Sequence, residues 1–358
     1  MEKHQGVLYA LLAAGLFGAS TPFAKSFVGA VPPVGLAGLL YLGSGLGLLA
    51  CIIVRRLRQT AREGDATGSA ATGGLTPADL PWLGGAILAG GIAGPILLML
   101  GLQLTPASSA SLLLNMEGVL TSLLAWFVFK ENFDRRIFLG MLLIVVAGIL
   151  LSWEQRPELG VPWGPLGIVG ACLCWAIDNN LTRKVSAGDA LTIAGAKGLV
   201  AGSVNLGIAL LLGFKMPAWS TLLPVGAVGF CGYGLSLVLF VLALRHLGTA
   251  RTGAYFSAAP FAGAVISLLM LGEVPSMLFW VAAALMAAGI GLHLTEHHEH
   301  DHEHEPLEHS HEHVHDAHHQ HEHDFEWDGV EPHAHKHRHA PLIHAHPHYP
   351  DIHHRHAH

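Results

Sequence analysis

The C-terminal segment of this chain is dominated by histidine, a side chain that binds metals and changes charge near neutral pH. Residues 295–358 contain 24 of the 27 histidines, with 14 acidic and 3 basic residues. Imidazoles and carboxylates at this density suit Zn, Ni and Co. No cofactor is expected to be required, but this segment, the tail, is expected to bind one of these metals. The predicted ligands are His297, His298, His300, His302, His304, His309, His311, His313, His315, His318, His319, His321 and His323.

Three ionisable side chains lie within long apolar segments, where a charge is costly and usually faces a cavity. Glu117 is placed roughly 15 Å from one end of its segment, near mid-membrane. Asp178 and Lys197 fall at a similar depth, roughly 20 Å from the same membrane face, so they could pair. Glu117 is interpreted as a proton-titrating or cation-binding carboxylate, or alternatively as a silent hydrogen-bonding group. The Asp178–Lys197 pair is either functional or a fixed link between two helices.

Other polar groups share these segments. Amide side chains suited to a polar solute occur at Asn115, Asn179 and Asn180, and Tyr233 and Tyr255 could line a cavity. Lys25 lies near the end of its segment, where it either gates, contacts an anionic solute or simply extends to the membrane surface. Glu131 and Glu273 are expected to pin loops rather than to contact solute.

Ten apolar segments must position these groups, since a bilayer core of about 30 Å requires roughly 20 apolar residues per helix. With 51% hydrophobic and 13% charged residues, the chain is too apolar for a soluble domain of 358 residues. Lys and Arg concentrate in the loops at the membrane face where the N-terminus lies. With an even number of helices, this asymmetry predicts that both termini are cytoplasmic. The segments are predicted at 7–28, 34–54, 80–102, 107–129, 137–153, 164–182, 190–213, 220–244, 250–271 and 277–294.

The chain also contains a weak internal duplication of five segments. Residues 17–25 align with residues 175–183, and the stretch before Glu131 aligns with the stretch before Glu273. Because five is odd, the second copy must be inverted in the membrane, an arrangement typical of transporters. The prediction is an all-α integral membrane fold of ten transmembrane helices in two inverted five-helix repeats, with a disordered cytoplasmic tail. The domains are 1–153, 154–294 and 295–358.

On these motifs the chain resembles the drug/metabolite transporter superfamily, specifically its EamA-type members. The similar motifs are Gly18-Ala-Ser-Thr-Pro-Phe-Ala-Lys25, Asn115-Met-Glu-Gly118 and Leu271-Gly-Glu273, among others. The chain departs from the family pattern in that Glu117 is not followed by proline and Pro260 is not preceded by glutamate. The resemblance implies export or exchange of a small organic solute, driven by a proton or solute gradient.

The sequence is compatible with three functions. The first is a secondary transporter for a small polar solute in the cytoplasmic membrane, working by alternating access. The second is a Ni, Co or Zn transporter whose tail is a cytoplasmic metal antenna, and the third is a membrane-anchored metal sensor or store. The chain has no nucleophile–base, phosphate-loop or nucleotide-binding pattern, so an enzyme is not expected. The expected partners are the lipid bilayer and a small-molecule or cation substrate, with no nucleic acid. Small-residue helix faces would permit a homodimer.

Overall fold

The computed structural model describes residues 2–62, 77, 79–129, 135–154, 160–185 and 190–294, and four short segments of the tail at 299–304, 308–313, 333–338 and 342–347. Up to residue 294 the described structure is almost entirely helical. The first half contains α1 Glu2–Phe27, α2 Pro33–Arg62, α3 Leu80–Ala86, the π-helical segment π1 Ile87–Ala93, α4 Gly94–Leu104, α5 Ala107–Leu113, α6 Met116–Phe129 and α7 Arg135–Glu154. The second half contains α8 Trp163–Val185, α9 Ala190–Leu211, α10 Trp219–Gly229, the π-helical segment π2 Phe230–Leu235, α11 Ser236–Phe256, α12 Ala259–Leu271 and α13 Met277–Leu294.

The predicted membrane segments fall on these helices. The third predicted segment is α3, π1 and α4 in succession, the fourth is α5 and α6, and the eighth begins with α10 and π2. Within the described residues, six helices are long and apolar enough to cross a membrane, and shorter apolar helices occur at Ala259–Leu271 and Met277–Leu292. The all-α, membrane-spanning fold is therefore confirmed.

Helix α11 is continuous through the boundary that the sequence predicted between its eighth and ninth segments. Nevertheless the rings of Phe240 and Phe256 lie with their centroids 4.8 Å apart. In a straight helix these residues would be separated by about 24 Å along the axis. Helix α11 must therefore be strongly bent between Phe240 and Phe256.

The two π-helical segments occur at equivalent places in the repeats. Shifting the chain by the 142 residues that separate Glu131 from Glu273 places π1 on residues 229–235, and π2 is Phe230–Leu235. The same shift places the break between α5 and α6 on the break between α11 and α12. A π-helical segment is rare and commonly marks a functional site. Its recurrence in both halves indicates that the two repeats share one local geometry.

The repeats pack through close helix contacts, chiefly α2 against α9, α1 against α11 and α12, α7 against α13, and α4 against α8. Glycines allow the backbones of α2 and α9 to approach, since a Cβ atom on Gly198 would lie 2.8 Å from the backbone nitrogen of Gly45. Likewise, a Cβ atom on Gly289 of α13 would lie 2.6 Å from the carbonyl oxygen of Gly140 in α7. Small residues have this role at helix interfaces in lipid, where dispersion contacts rather than the hydrophobic effect hold helices together.

The described segments of the tail form four short strands. The strand β1 Glu299–His304 pairs antiparallel with β4 Leu342–Pro347, and β2 Glu308–His313 pairs antiparallel with β3 His333–Arg338. In these segments the tail differs from the prediction of a disordered chain. The alternation of histidine with other residues has the two-residue period of a strand, although it was interpreted only as a source of ligands.

Candidate functional site

Glu117 is positioned by a break in the fourth membrane segment. The buried Asn115 lies between α5 and α6, and its Nδ2 donates to the carbonyl oxygen of Leu112 at 3.0 Å. Side chains of this kind offer the backbone an alternative to continuing a helix. The break leaves Glu117 in the first turn of α6, within the bundle and partly exposed.

Asn179 of α8 is the described partner of Glu117. Its Nδ2 donates to Glu117 Oε1 at 2.8 Å, and the Asn179 side chain is exposed. Among the described residues, no lysine or arginine lies within ion-pair distance of Glu117. This pair joins the two repeats through a carboxylate and an amide, groups that bind cations and hydrogen-bond donors.

The neighbouring carboxylate, Asp178, has a different environment. Lys197 Nζ of α9 donates to both of its carboxylate oxygens, at 2.5 and 2.7 Å, and Thr182 Oγ1 donates to Oδ1 at 2.8 Å. Asp178 is only 7% exposed. The predicted pairing of Asp178 with Lys197 is therefore present, and it links α8 to α9 within the second repeat.

Segment π1 forms the wall beside Asp178. A Cβ atom on Gly90 would overlap the Asp178 carboxylate, so only glycine allows this approach. A π-helix shifts the backbone hydrogen-bond ladder, and here the Gly90 carbonyl oxygen accepts from both Tyr41 OH and Trp175 Nε1, each at 3.0 Å. The next carbonyl, of Gly91, accepts from Asn205 Nδ2 at 3.0 Å.

The equivalent contact occurs in the other repeat. The 142-residue shift takes Gly90 to Gly232, and a Cβ atom on Gly232 would lie 2.5 Å from Ser20 Cβ. Ser20 is the residue that the alignment of residues 17–25 with 175–183 matches to Asp178. Gly90 and Gly232 therefore each face the matched residue on the first helix of the other unit of five.

An aromatic cluster adjoins these polar groups. The rings of Tyr41 and Tyr233 lie 5.5 Å apart, and Phe17 lies 6.1 Å from Tyr233 and 5.5 Å from Phe256. Tyr233 was proposed from the sequence as a cavity residue, but Tyr41 and Trp175 were missed. A signal is available in the sequence, since the glycine-rich stretches around Gly90 and Gly232 occupy equivalent positions in the two repeats.

Lys25 lies elsewhere, at the face of the membrane where α1 ends, here called the distal face. Its Nζ donates to the carbonyl oxygen of Thr105 at 2.9 Å and to that of Leu102. These are the last carbonyls before the corner between α4 and α5, where helix ends leave acceptors unpaired. The structure therefore does not bring Lys25 to Glu117, and its contacts are with backbone.

Glu273 binds the α5 side of the corner between α4 and α5. Helix α12 ends at Gly272, whose φ of 63° is favourable for glycine, and Glu273 follows immediately. Its two carboxylate oxygens accept from the backbone nitrogens of Ala107 and Ser108, at 2.7 and 2.9 Å. Glu273 thus pins a loop, as expected, whereas Glu131 lies outside the described residues.

Comparison with known proteins identifies the architecture. A family model described as the EamA-like transporter family matches this chain twice, at residues 4–153 and 162–295. The chain belongs to the EamA-like transporter family. It therefore contains two EamA repeats, and nearly all of the tail lies beyond the second match.

Several relatives are themselves named only as transporters. The chain is 30% identical over 206 residues to an uncharacterized transporter of Methanothermobacter thermautotrophicus, covering 56% of this chain and 60% of the relative. It is 26% identical over 204 residues to the uncharacterized transporter YyaM of Bacillus subtilis, covering 53% and 65%. The matched region thus spans less than two thirds of the length of either relative. The uncharacterized inner membrane transporter YedA of Escherichia coli K12 is 22% identical over 270 residues, covering 73% of this chain and 81% of YedA.

A solved crystal structure has the same fold. Its TM-score is 0.57 at 18% identity, and the superposition covers 80% of this chain and 95% of that one.

The remaining predicted site residues do not join the Glu117 cluster in this EamA-type bundle. Asn180 Nδ2 donates to the carbonyl oxygen of Ala176 in its own helix, at 2.8 Å. Asn115 donates to the carbonyl oxygen of Leu112 at the α5–α6 break. Where side chains are described, no group of three or more His, Cys, Asp and Glu residues could hold a metal. Of the predicted metal ligands, His300, His302, His304, His309, His311 and His313 lie in β1 and β2. The others lie outside the described residues: His297, His298, His315, His318, His319, His321 and His323.

Proposed function

We propose that this chain is a secondary transporter of the drug/metabolite type that moves a small polar solute across the cytoplasmic membrane by alternating access. The observation that supports this most directly is the contact between Glu117 and Asn179. It places a partly exposed carboxylate and an exposed amide on facing helices of the two repeats, deep in the bundle. Sites between inverted repeats near mid-membrane are typical of secondary transporters.

The charges near Glu117 favour a cationic or hydrogen-bond-donating solute, or a proton. Asp178 already has a lysine partner, so it contributes little net charge. Glu117 has an amide partner, which satisfies one lone pair but does not compensate a negative charge. An amine or ammonium group on the solute would supply that compensation, and Asn179 would contribute a donor and an acceptor beside it.

The contacts at the distal face supply a gate for this mechanism. Lys25 and Glu273 connect α1 and the loop after α12 to the corner between α4 and α5. The contacts of Glu273 join the two repeats and those of Lys25 hold the corner within the first, so both must loosen for solute to pass on that side. In this proposal the structure represents a state closed at the distal face.

The distribution of basic residues orients the transporter. Lys and Arg occur mainly in loops at the face where α1 begins, which favours a cytoplasmic location for both termini and the tail. The distal face is then the external one. The described conformation would exchange solute with the cytoplasm.

The test begins with purified full-length chain in detergent, screened by thermal shift against amines, amino acids, amides and the ions Zn²⁺, Ni²⁺ and Co²⁺. Each stabilising compound is then assayed for uptake in proteoliposomes, with an imposed pH gradient and without one. Glu117→Gln should lower uptake at least about tenfold, since hydrogen bonds to charged groups contribute about 1.5–3 kcal/mol. The matched control is Glu154→Gln, because Glu154 is exposed at the end of α7.

The outcomes separate the alternatives. Uptake of an organic solute that Glu117→Gln abolishes and Glu154→Gln leaves intact supports the proposal. Glu117-dependent uptake of a metal ion without any organic solute would instead favour the metal transporter. Binding of metal with no uptake of any compound would favour the anchored sensor or store.

A further inference from the structure

The pairing of the tail strands places histidines opposite histidines. In the pairing of β2 with β3, the Cα partners are His309 with His337, His311 with His335, and His313 with His333. In the pairing of β1 with β4, His300 faces His346 and His302 faces His344, whereas His304 faces Leu342. Five facing histidine pairs therefore occur in the described part of the tail.

Strand geometry makes these pairs neighbours. Directly opposite residues in an antiparallel pair have Cβ atoms about 4.5–5.5 Å apart, and every second residue of a strand shares a face. The three pairs of β2 and β3 occupy alternate register positions, so all six histidines belong to one face of this ribbon. The register thus separates the histidine positions from the positions between them.

The intervening positions favour this register. On the other face, Glu308 is opposite Arg338 and Ser310 is opposite Lys336. Facing residues of opposite charge stabilise a strand pair, although by less than about 1 kcal/mol. A slip of one residue would move each histidine of one strand away from its partner and would also separate Glu308 from Arg338.

We propose that successive facing pairs of β2 and β3 form binding sites for a divalent late transition metal, Zn²⁺, Ni²⁺ or Co²⁺. Two adjacent pairs, such as His309 with His337 and His311 with His335, offer four imidazoles, the number that tetrahedral zinc requires. The pairs in β1 and β4 form an equivalent site from His300, His346, His302 and His344. The strand register, rather than the number of histidines, determines which residues form each site. This proposal does not depend on the proposed transport function.

The experiment compares full-length chain with a variant of the same composition. Exchanging residues within β2, by Glu308→His, His309→Glu, Ser310→His, His311→Ser, Glu312→His and His313→Glu, keeps three histidines but moves them to the other face. Zn²⁺ affinity is measured by competition with a chelating dye, and Co²⁺ binding by its visible absorption. Hydrogen exchange of the tail, followed by mass spectrometry, reports whether metal protects the strand amides.

The exchanged variant should bind Zn²⁺ at least about tenfold more weakly at the β2–β3 sites, since even outer-shell partners of metal ligands affect affinity by that factor. It should also lose the metal-dependent protection of β2 and β3, because binding and folding are coupled. Unchanged affinity, stoichiometry and protection would overturn the proposal and indicate binding by histidine-rich sequence alone.

A double-mutant cycle gives a second, independent test. His311→Ala and His335→Ala should remove the same site, so the double variant should be little worse than either single one. His311→Ala and His346→Ala belong to different strand pairs, so their effects on Zn²⁺ affinity and stoichiometry should add. Additivity in both cycles would overturn the paired-site assignment.

Discussion

At the scale of single residues, two carboxylates on facing helices have different roles because their partners differ. Asp178 is buried and receives two hydrogen bonds from Lys197 and one from Thr182, which keeps a charged pair stable within the membrane region. Glu117 is partly exposed and receives one from Asn179. A compensated charge is suited to holding helices together, and an uncompensated one to binding solute.

Breaking the Asp178–Lys197 pair should therefore reduce stability. Asp178→Asn or Lys197→Met alone leaves a buried charge without its partner, which costs about 3–5 kcal/mol in typical buried pairs. The double variant removes both charges, so it should recover part of that loss. The measurement is the unfolding temperature of each variant in detergent. Equal stability of all three variants and the wild type would show that the pair has no structural role.

At the scale of elements, the π-helical segments bring backbone close to charged or polar side chains. In π1 the carbonyl oxygen of Gly90 accepts from Tyr41 and Trp175. Because Gly90 has no Cβ atom, the Asp178 carboxylate can lie against it. Segment π2 repeats the close approach with Gly232 and Ser20. Gly90 and Gly232 are therefore required for packing rather than for backbone flexibility.

The substitution Gly90→Ala should destabilise the chain by about 1–3 kcal/mol, the usual effect of overpacking. It should also impair the Asp178–Lys197 contact, because the new methyl group would displace the carboxylate. The matched control is Gly207→Ala in α9, where a Cβ atom would meet nothing within 4 Å. There the better helix propensity of alanine should leave stability unchanged or raise it slightly. Thermal unfolding in detergent compares the two variants, and equal effects would contradict the packing argument.

The contact of Glu273 with the α4–α5 corner should likewise be measurable. Glu273→Ala removes the acceptor for two backbone N–H groups, and an unsatisfied buried donor costs about 1–3 kcal/mol. Glu273→Gln keeps one carbonyl oxygen and should have a smaller effect. Lys215→Ala, at an exposed position between α9 and α10, is the control. Accessibility of a cysteine introduced at Ser109 to an impermeant thiol reagent should increase in Glu273→Ala and not in the control.

At the scale of the whole molecule, the chain combines two repeats of the EamA-like transporter family with a histidine-rich tail. The family match ends at residue 295, so the helices through Leu294 comprise the two repeats. The strands of the tail pair with one another.

Truncation after Leu294 should therefore leave the unfolding temperature and solute uptake unchanged and abolish the high-capacity binding of Zn²⁺. Loss of uptake in the truncated chain would show instead that the tail takes part in transport. Fusion of a fluorescent protein to His358 tests the orientation, since the proposed cytoplasmic tail would yield a fluorescent fusion and an external one would not.

The sequence by itself determined the membrane class, the helical segments, the repeat and the family, because hydrophobic length and a short set of motifs depend only on residue order. It also indicated the depth of Asp178 and Lys197 closely enough to predict their pairing, since depth follows from a fixed rise per residue. Lys25 and Asn180 were predicted to line the site, but depth does not specify which way a side chain points.

Only the tertiary structure decided which polar groups meet. The contact of Asn179 with Glu117, the use of Lys25 at a helix corner and the role of Tyr41 depend on helix rotation and on contacts between residues far apart in the chain. The π-helical segments shift that rotation by local rearrangement of the hydrogen-bond ladder, which hydropathy does not register. In the tail, composition likewise predicts that histidines bind metal but does not predict which of them are neighbours. The strand register decides which histidines face one another.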